Sequence, residues 1–332
     1  MDTDTRIPPR SAPYLETQDA VAGLAAMLVA ALSTAVRGQW SALGAVSAEE
    51  GASAAIIDPE ALLLVSLWLI PREPALGPVV HDWVARWSDL LSVQRTRNLA
   101  RAFPATIAQE LRTVATTAYE RGKDFRWGPV IKEGAGAAPD DGGSARDTRL
   151  PMGVTRLAVE RDALLVLRFR MAFGVGARAD ALAYLLARGT AWSSVTEIAQ
   201  ATGYTPSAIR RALDRMAEAE IVMMVDDGTT RYRCDATPWA TLLGLRDTVE
   251  PWRYWLQHFT FVSTFADWAD GIARRKLTAY AITEAMRGVA RSFRPTDDRD
   301  GLRTWDHAFR DGSTMPEMQD ALADVAGTLL QE

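Results

Sequence analysis

Residues 194–213 read SVTEIAQATGYTPSAIRRAL. The stretch divides into two short helical patterns that meet at Gly203-Tyr204-Thr205-Pro206. Ser194 stands three residues before Glu197, the offset at which a capping hydroxyl and a glutamate satisfy each other's backbone N–H groups; Ser193 is a second candidate for that cap. Gly203 suits the left-handed residue that closes a helix. Thr205 then caps a new helix, and Pro206 fills its first position, where a missing N–H is tolerated. Within that helix Ile209, Leu213 and Met216 recur at i, i+4 and i+7 and form an inward apolar stripe. Ser207, Arg210, Arg211 and Asp214 therefore fall on or near the outward face.

The flanking sequence extends the pattern. VTRLAVERDALLVLRFRMAF (154–173) reads as one lead-in helix, Phe173-Gly174-Val175-Gly176 as a short turn, and ARADALAYLLARG (177–189) as a helix closing on Gly189. After the quoted stretch, IVMMV (221–225) and TRYRC (230–234) are strand-like, with Asp226-Asp227-Gly228 between them as a hairpin signal. Arg231 and Arg233 alternate with Tyr232, so both arginines share one strand face.

Helix, helix, sharp turn, helix, strand, turn, strand, in that order over 177–234, resembles a winged helix-turn-helix domain of the MarR and ArsR type. The resemblance implies a DNA-binding transcriptional regulator, dimeric, that reads double-stranded DNA with helix 206–218 and wing 221–234. In it the second helix of the corner enters the major groove with its N-terminal residues foremost. Arg210 and Arg211 are then placed for bidentate hydrogen bonds to guanine. Tyr204, Thr205 and Ser207 are placed to hold a phosphate, and Arg231 and Arg233 to straddle the backbone or enter a minor groove. The lead-in LRFRMAFGVGARADALAYLL, the corner and the Arg-Tyr-Arg wing are also similar to antitoxin partners of abortive-infection nucleotidyltransferase toxins. That likeness implies a protein-binding defence subunit that neutralises a partner enzyme and represses its own operon.

Charge bears on the choice. Between residues 190 and 235 five arginines stand against seven carboxylates. The whole chain, 332 residues with a formal charge of −5 and a pI near 5.4, does not suggest a protein that coats nucleic acid nonspecifically. Any DNA contact must come from a local basic face.

The rest of the chain reads as mainly α. Its length suggests two or three domains. Residues 1–15 read as a loose arm, 16–131 as a helical domain, and 132–149, rich in Gly, Pro and Asp, as a linker. The winged domain with its lead-in takes 150–238, and C-terminal helices take 239–332. Asp58-Pro59 caps the apolar run 61–70, Pro74 and Pro78 break the chain before a Trp83/Trp87 stripe, and 107–122 forms an amphipathic helix. Trp252 and Trp255 sit at helical spacing, as core or dimer packing. The apolar run 21–36 is shorter than the ~20 residues that span a bilayer and reads as a buried core helix.

Catalytic chemistry finds no focus in the sequence. His81, His258 and His307 fall in no metal-binding spacing, and no glycine-rich phosphate loop occurs. The segment 296–307 imitates a calcium loop but places Thr296 and His307 where carboxylates are required. Cys234 stands alone, which excludes an intrachain disulfide, fits a reducing cytoplasm and leaves no thiolate zinc site. The expectation is therefore a cytoplasmic, non-enzymatic protein without cofactor or metal, whose partners are DNA, a second copy of itself, or a protein such as a toxin.

Overall fold

Asp58 and Pro59 start the most deeply enclosed helix of the protein. In α2 (Pro59–Leu69) the Asp58 carboxylate accepts from the Ala61 N–H, Pro59 takes the first turn, and every residue is buried. The structure, a computed structural model, describes residues 12–45, 55–133, 157–244, 249–275, 277–293 and 305–330, with side chains from Glu16 onward. Among these the chain is mainly helical, with one three-stranded antiparallel sheet. It divides into two compact units: Met1–Leu32 with Gln257–Leu330, and Ser33–Leu256.

The second unit holds the quoted stretch. Before it come the end of α1 (Ala12–Ala42), which enters this unit at Ser33, then α2, α3 (Leu76–Trp87), α4 (Val93–Ala100), α5 (Ala108–Glu120) and α6 (Gly128–Lys132). Pro78 does not break the chain as expected but lies in the first turn of α3, where a proline removes only an N–H that has no helical partner. Trp83 is buried, its ring 5.6 Å from Trp40 in an edge-on contact, and the Trp40 Nε1–H donates to Ser66 Oγ at 2.9 Å.

α7 (Leu165–Phe173) is shorter than the helix expected over 154–173. Residues 157–161 are not helical, and the Ile57 N–H donates to the Ala163 carbonyl at 2.9 Å. Asp162–Leu164 form a 3-10 turn that leads into α7. α8 (Ala177–Ala187) follows Gly174 and Gly176 and ends at Gly189, all three with positive φ. β1 (Ser193–Ser194), α9 (Val195–Thr202), α10 (Pro206–Glu218), β2 (Met223–Asp226), β3 (Thr230–Arg233) and α11 (Ala236–Leu243) complete the segment. The sheet order is β1-β3-β2, with Met224 opposite Tyr232 and Ser193 opposite Tyr232 on the other side. Ile198, Ile209, Leu213, Met216, Tyr232 and Cys234 share one core with Leu165, Phe169, Leu182 and Leu185. Cys234 packs as a small apolar residue, as expected; burial, and then Asp235, pushes its thiol pKa up to about 12.

Trp252 and Trp255 do not form one helical stripe. Trp252 lies in extended chain and pairs with Ile56 in a parallel bridge, whereas Trp255 begins α12 (Trp255–Ile272) and donates its Nε1–H to the Ile56 carbonyl at 2.8 Å.

The first unit contains α1 up to Leu32 and the rest of α12, with α13 (Ala279–Arg291) and α14 (Met315–Leu330). Its core is aromatic. Phe261 stacks on Phe293 with centroids 4.4 Å apart, and Trp305 meets both edge-on. His258 is buried against Phe293.

The expected arm is helical from Ala12, and α1 is longer than the run 21–36. Its segment Glu16–Ala42, 27 residues, is long and apolar enough to cross a membrane by length and composition, and half of its most apolar window is buried. Residues 1–11, most of the 132–149 linker and 296–304 of the calcium-loop imitation lie outside the described residues.

Candidate nucleic-acid interface

The corner forms as its side chains dictate. Ser194 Oγ accepts from the Glu197 N–H and Glu197 reaches back to the Ser194 N–H, a complete capping box. Gly203 ends α9 with φ 71°. A side chain there would be strained by that angle and would also meet Leu99 Cδ2 at 2.9 Å. Thr205 Oγ1 accepts from the Ala208 N–H at 3.2 Å and starts α10. Ile209, Leu213 and Met216 are buried, which turns Ser207, Arg210, Arg211 and Asp214 to the solvent.

Arg210 and Arg211 are exposed and form no ion pair among the described residues. They serve opposite flanks of α10. Arg210 acts on Tyr232 of β3, whose hydroxyl donates to Asp214 Oδ1 at 2.7 Å. Burial and then that carboxylate push the Tyr232 pKa up to about 12. Arg211 lines a groove on the other flank, against the turn that joins α7 to α8.

The remaining residues expected at the interface behave differently. Tyr204 is turned inward, its hydroxyl sealed from solvent and without a hydrogen-bond partner among the described residues. Burial, then Asp180, hold its pKa well above the usual phenol range, so it offers no hydroxyl to a phosphate. Thr205 is exposed, but its oxygen is committed to the cap. Ser207 stands free in the first turn. In the hairpin Arg231 is paired with Asp227. Arg233 lies over the Trp192 ring, 4.8 Å from its centroid, with Nη2 3.5 Å from Met223 Sδ. Neither wing arginine is the free cation expected from the alternation, because Trp192, just before β1, and Asp227 at the hairpin tip supply partners that the strand pattern does not reveal.

Sequence reasoning also missed what holds the corner. Arg95, Arg170, Asp58, Glu60 and Asp180 form a buried cluster, every side chain 4% exposed or less. Arg170 spends all its donors there: Nε and Nη2 on Asp180 at 2.8 and 2.6 Å, Nη1 and Nη2 on Glu60 at 2.6 and 2.9 Å, and Nη1 also on the Leu90 carbonyl at 2.9 Å. Arg95 grips Asp58 with two bonds of 2.6 and 2.7 Å, pairs with Glu60, and donates Nε–H to the Thr202 carbonyl at 2.7 Å. That last bond ties the end of α9 to α4. Burial pushes the Glu60 carboxyl up, but Arg170 and Arg95 outweigh it and hold the pKa at about 2. The available sequence signal was a charge within each apolar run: Glu60 in PEALLLVSLWL and Arg170 in LVLRFRMAF.

Comparison with family models, with curated proteins and with solved structures returns no match.

Proposed function

We propose that this chain is a DNA-binding transcriptional regulator, cytoplasmic and dimeric, whose segment 177–234 is a winged helix-turn-helix that reads double-stranded DNA with α10. The observation that carries the reading is the exterior of α10, where Arg210 and Arg211 stand exposed without an acidic partner among the described residues. Arginine is the side chain best suited to bidentate contact with guanine, and the capped corner holds these two on a rigid support. The hairpin is assigned a positioning role only, since Arg231 and Arg233 are already engaged within the protein. The test is fluorescence anisotropy with duplex from the region upstream of the gene. Arg210→Ala with Arg211→Ala should abolish binding and leave the melting temperature in place. Full affinity in the double variant means that α10 is not the reading helix.

A second reading has its own support. Met171 and Phe173 are more than half exposed and Leu242 is 74% exposed. Trp239 of α11 packs edge-on against Phe169 and Phe173, which brings these residues into one neighbourhood. Exposed apolar side chains grouped in this way favour a protein partner, as expected of an antitoxin or defence subunit. Co-purification of a stable partner that masks this neighbourhood, with no retained DNA, decides for it.

A further inference from the structure

The groove beside Arg211 has a composition that the reading helix alone does not explain. It measures about 590 Å³ and lies between the α7–α8 turn and α10. Gly174 and Gly176 form one wall, both with positive φ and open space where a Cβ would stand. Ala208 of α10 presents a small side chain to it, and the cations Arg178, Arg211 and Arg215 border it. Arg178 is exposed and, like Arg211, has no ion pair among the described residues. Arg215 is paired with Glu218 at 2.7 Å. The other carboxylates of these elements point elsewhere: Asp180 is buried on Arg170, and Asp214 is held by Tyr232. Two arginines from separate helices thus converge on a glycine-walled groove that no carboxylate lines.

We infer that this groove seats a phosphodiester of the DNA backbone, gripped by Arg178 from α8 where Arg211 of α10 borders the same groove. The inference rests on the DNA-binding reading and adds to it a sequence-independent contact outside the corner. A guanidinium matches the planar geometry of phosphate oxygens, and glycines without side chains allow a backbone to approach closely. Such a contact fixes register on the duplex without reading bases.

The experiment measures anisotropy of two labelled duplexes of unrelated sequence across 50–200 mM salt, for the full chain and its Arg178→Ala, Arg178→Lys and Arg178→Glu variants. Arg178→Ala should lower the slope of log affinity against log salt by about 0.9, the value of one phosphate contact, and by the same amount on both duplexes. Arg178→Lys should retain the slope, and Arg178→Glu should weaken binding further. Arg178 is exposed, so all three should melt as the parent does. A wild-type slope in Arg178→Ala, or a loss confined to one sequence, overturns the groove assignment and leaves the reading helix standing. Failure of the parent protein to bind either duplex overturns both, as does capture of a polyglutamate peptide in place of DNA.

Discussion

Replacement of Arg95 by Met tests whether the corner is held from outside itself. Arg95 is 3% exposed. Its guanidinium makes two bonds to Asp58, one to Glu60 and one to the Thr202 carbonyl. The methionine fills much of the stem's volume but leaves Asp58 without a cation and Glu60 with Arg170 alone. Breaking a buried pair from one side costs about 3–5 kcal/mol, because the surviving charge stays desolvated. That is a large part of the roughly 5–15 kcal/mol by which a domain is stable. With a urea slope of about 3 kcal/mol/M, appropriate to a large domain, the midpoint falls by roughly 1–1.7 M. Urea titration followed by circular dichroism measures it. Asp58→Asn placed on top of Arg95→Met should recover part of the loss, since it removes the orphaned charge. Arg97→Met is the control: its pair with Glu133 is partly exposed, and such pairs contribute about 0.2–1 kcal/mol. A loss below about 1 kcal/mol in Arg95→Met, or equal losses at Arg95 and Arg97, refutes the claim that the cluster locks the corner.

Other perturbations follow from the same geometry. The Glu60 pKa of about 2 lies below its ordinary value of 4.5. The stability it contributes is therefore fully present above pH 4.5 and is lost as pH falls from there toward 2; Glu60→Gln should flatten the pH dependence of the urea midpoint in that window while lowering the midpoint at neutral pH. Gly203→Ala, strained by its positive φ and facing Leu99, should destabilise by about 1–3 kcal/mol, read from the thermal midpoint; an unchanged midpoint means that the end of α9 is not seated on α4. Thr205→Ala removes the α10 cap and should cost about 1 kcal/mol, with Thr205→Asp restoring it. Cys234, its thiol pKa pushed up to about 12, should resist a thiol reagent at pH 8 until urea unfolds the chain; fast reaction in the native protein contradicts its burial.

Local chemistry was legible in the sequence where a residue acts within one turn of itself. The Ser194/Glu197 box, the Gly203 terminator, the Thr205-Pro206 start and the Asp58-Pro59 start all require only backbone groups a few residues away. The inward stripe of α10 was legible for the same reason, since helical period alone assigns the buried face. What was not legible depends on partners distant in sequence. Nothing local to Tyr204 says that it turns toward Asp180, Arg170, Glu60 and Arg95 instead of a ligand. The β1 pairing with β3 comes from a strand two residues long, and the Trp192 ring under Arg233 from the residue before it. The helical pattern does not carry through residues 157–161, and the Ala163 carbonyl just beyond them accepts from the distant Ile57 N–H.

The acidic balance of 190–235 and a DNA-reading role are compatible because the charges are segregated, not averaged. Asp214 is occupied by Tyr232, Glu218 by Arg215 and Asp227 by Arg231. Each of those carboxylates is spent locally, and each arginine so spent is lost to a ligand as well. Among the described residues the arginines of the stretch without a carboxylate partner are Arg210, Arg211 and Arg233, of which Arg233 is held over the Trp192 ring; outside the stretch Arg178 is likewise unpaired. Arg210, Arg211 and Arg178 lie on or beside the outer side of α10, whereas Asp226 lies at the tip of the hairpin. Opposed to a duplex, such a surface attracts phosphates along the helix and repels them at the hairpin tip. Asp226→Asn with Asp227→Asn should therefore tighten duplex binding and raise its salt dependence, by freeing Arg231 and removing the repulsion. Weaker binding in that variant means that the hairpin carboxylates face away from DNA and that Arg231 needs Asp227 to hold its place.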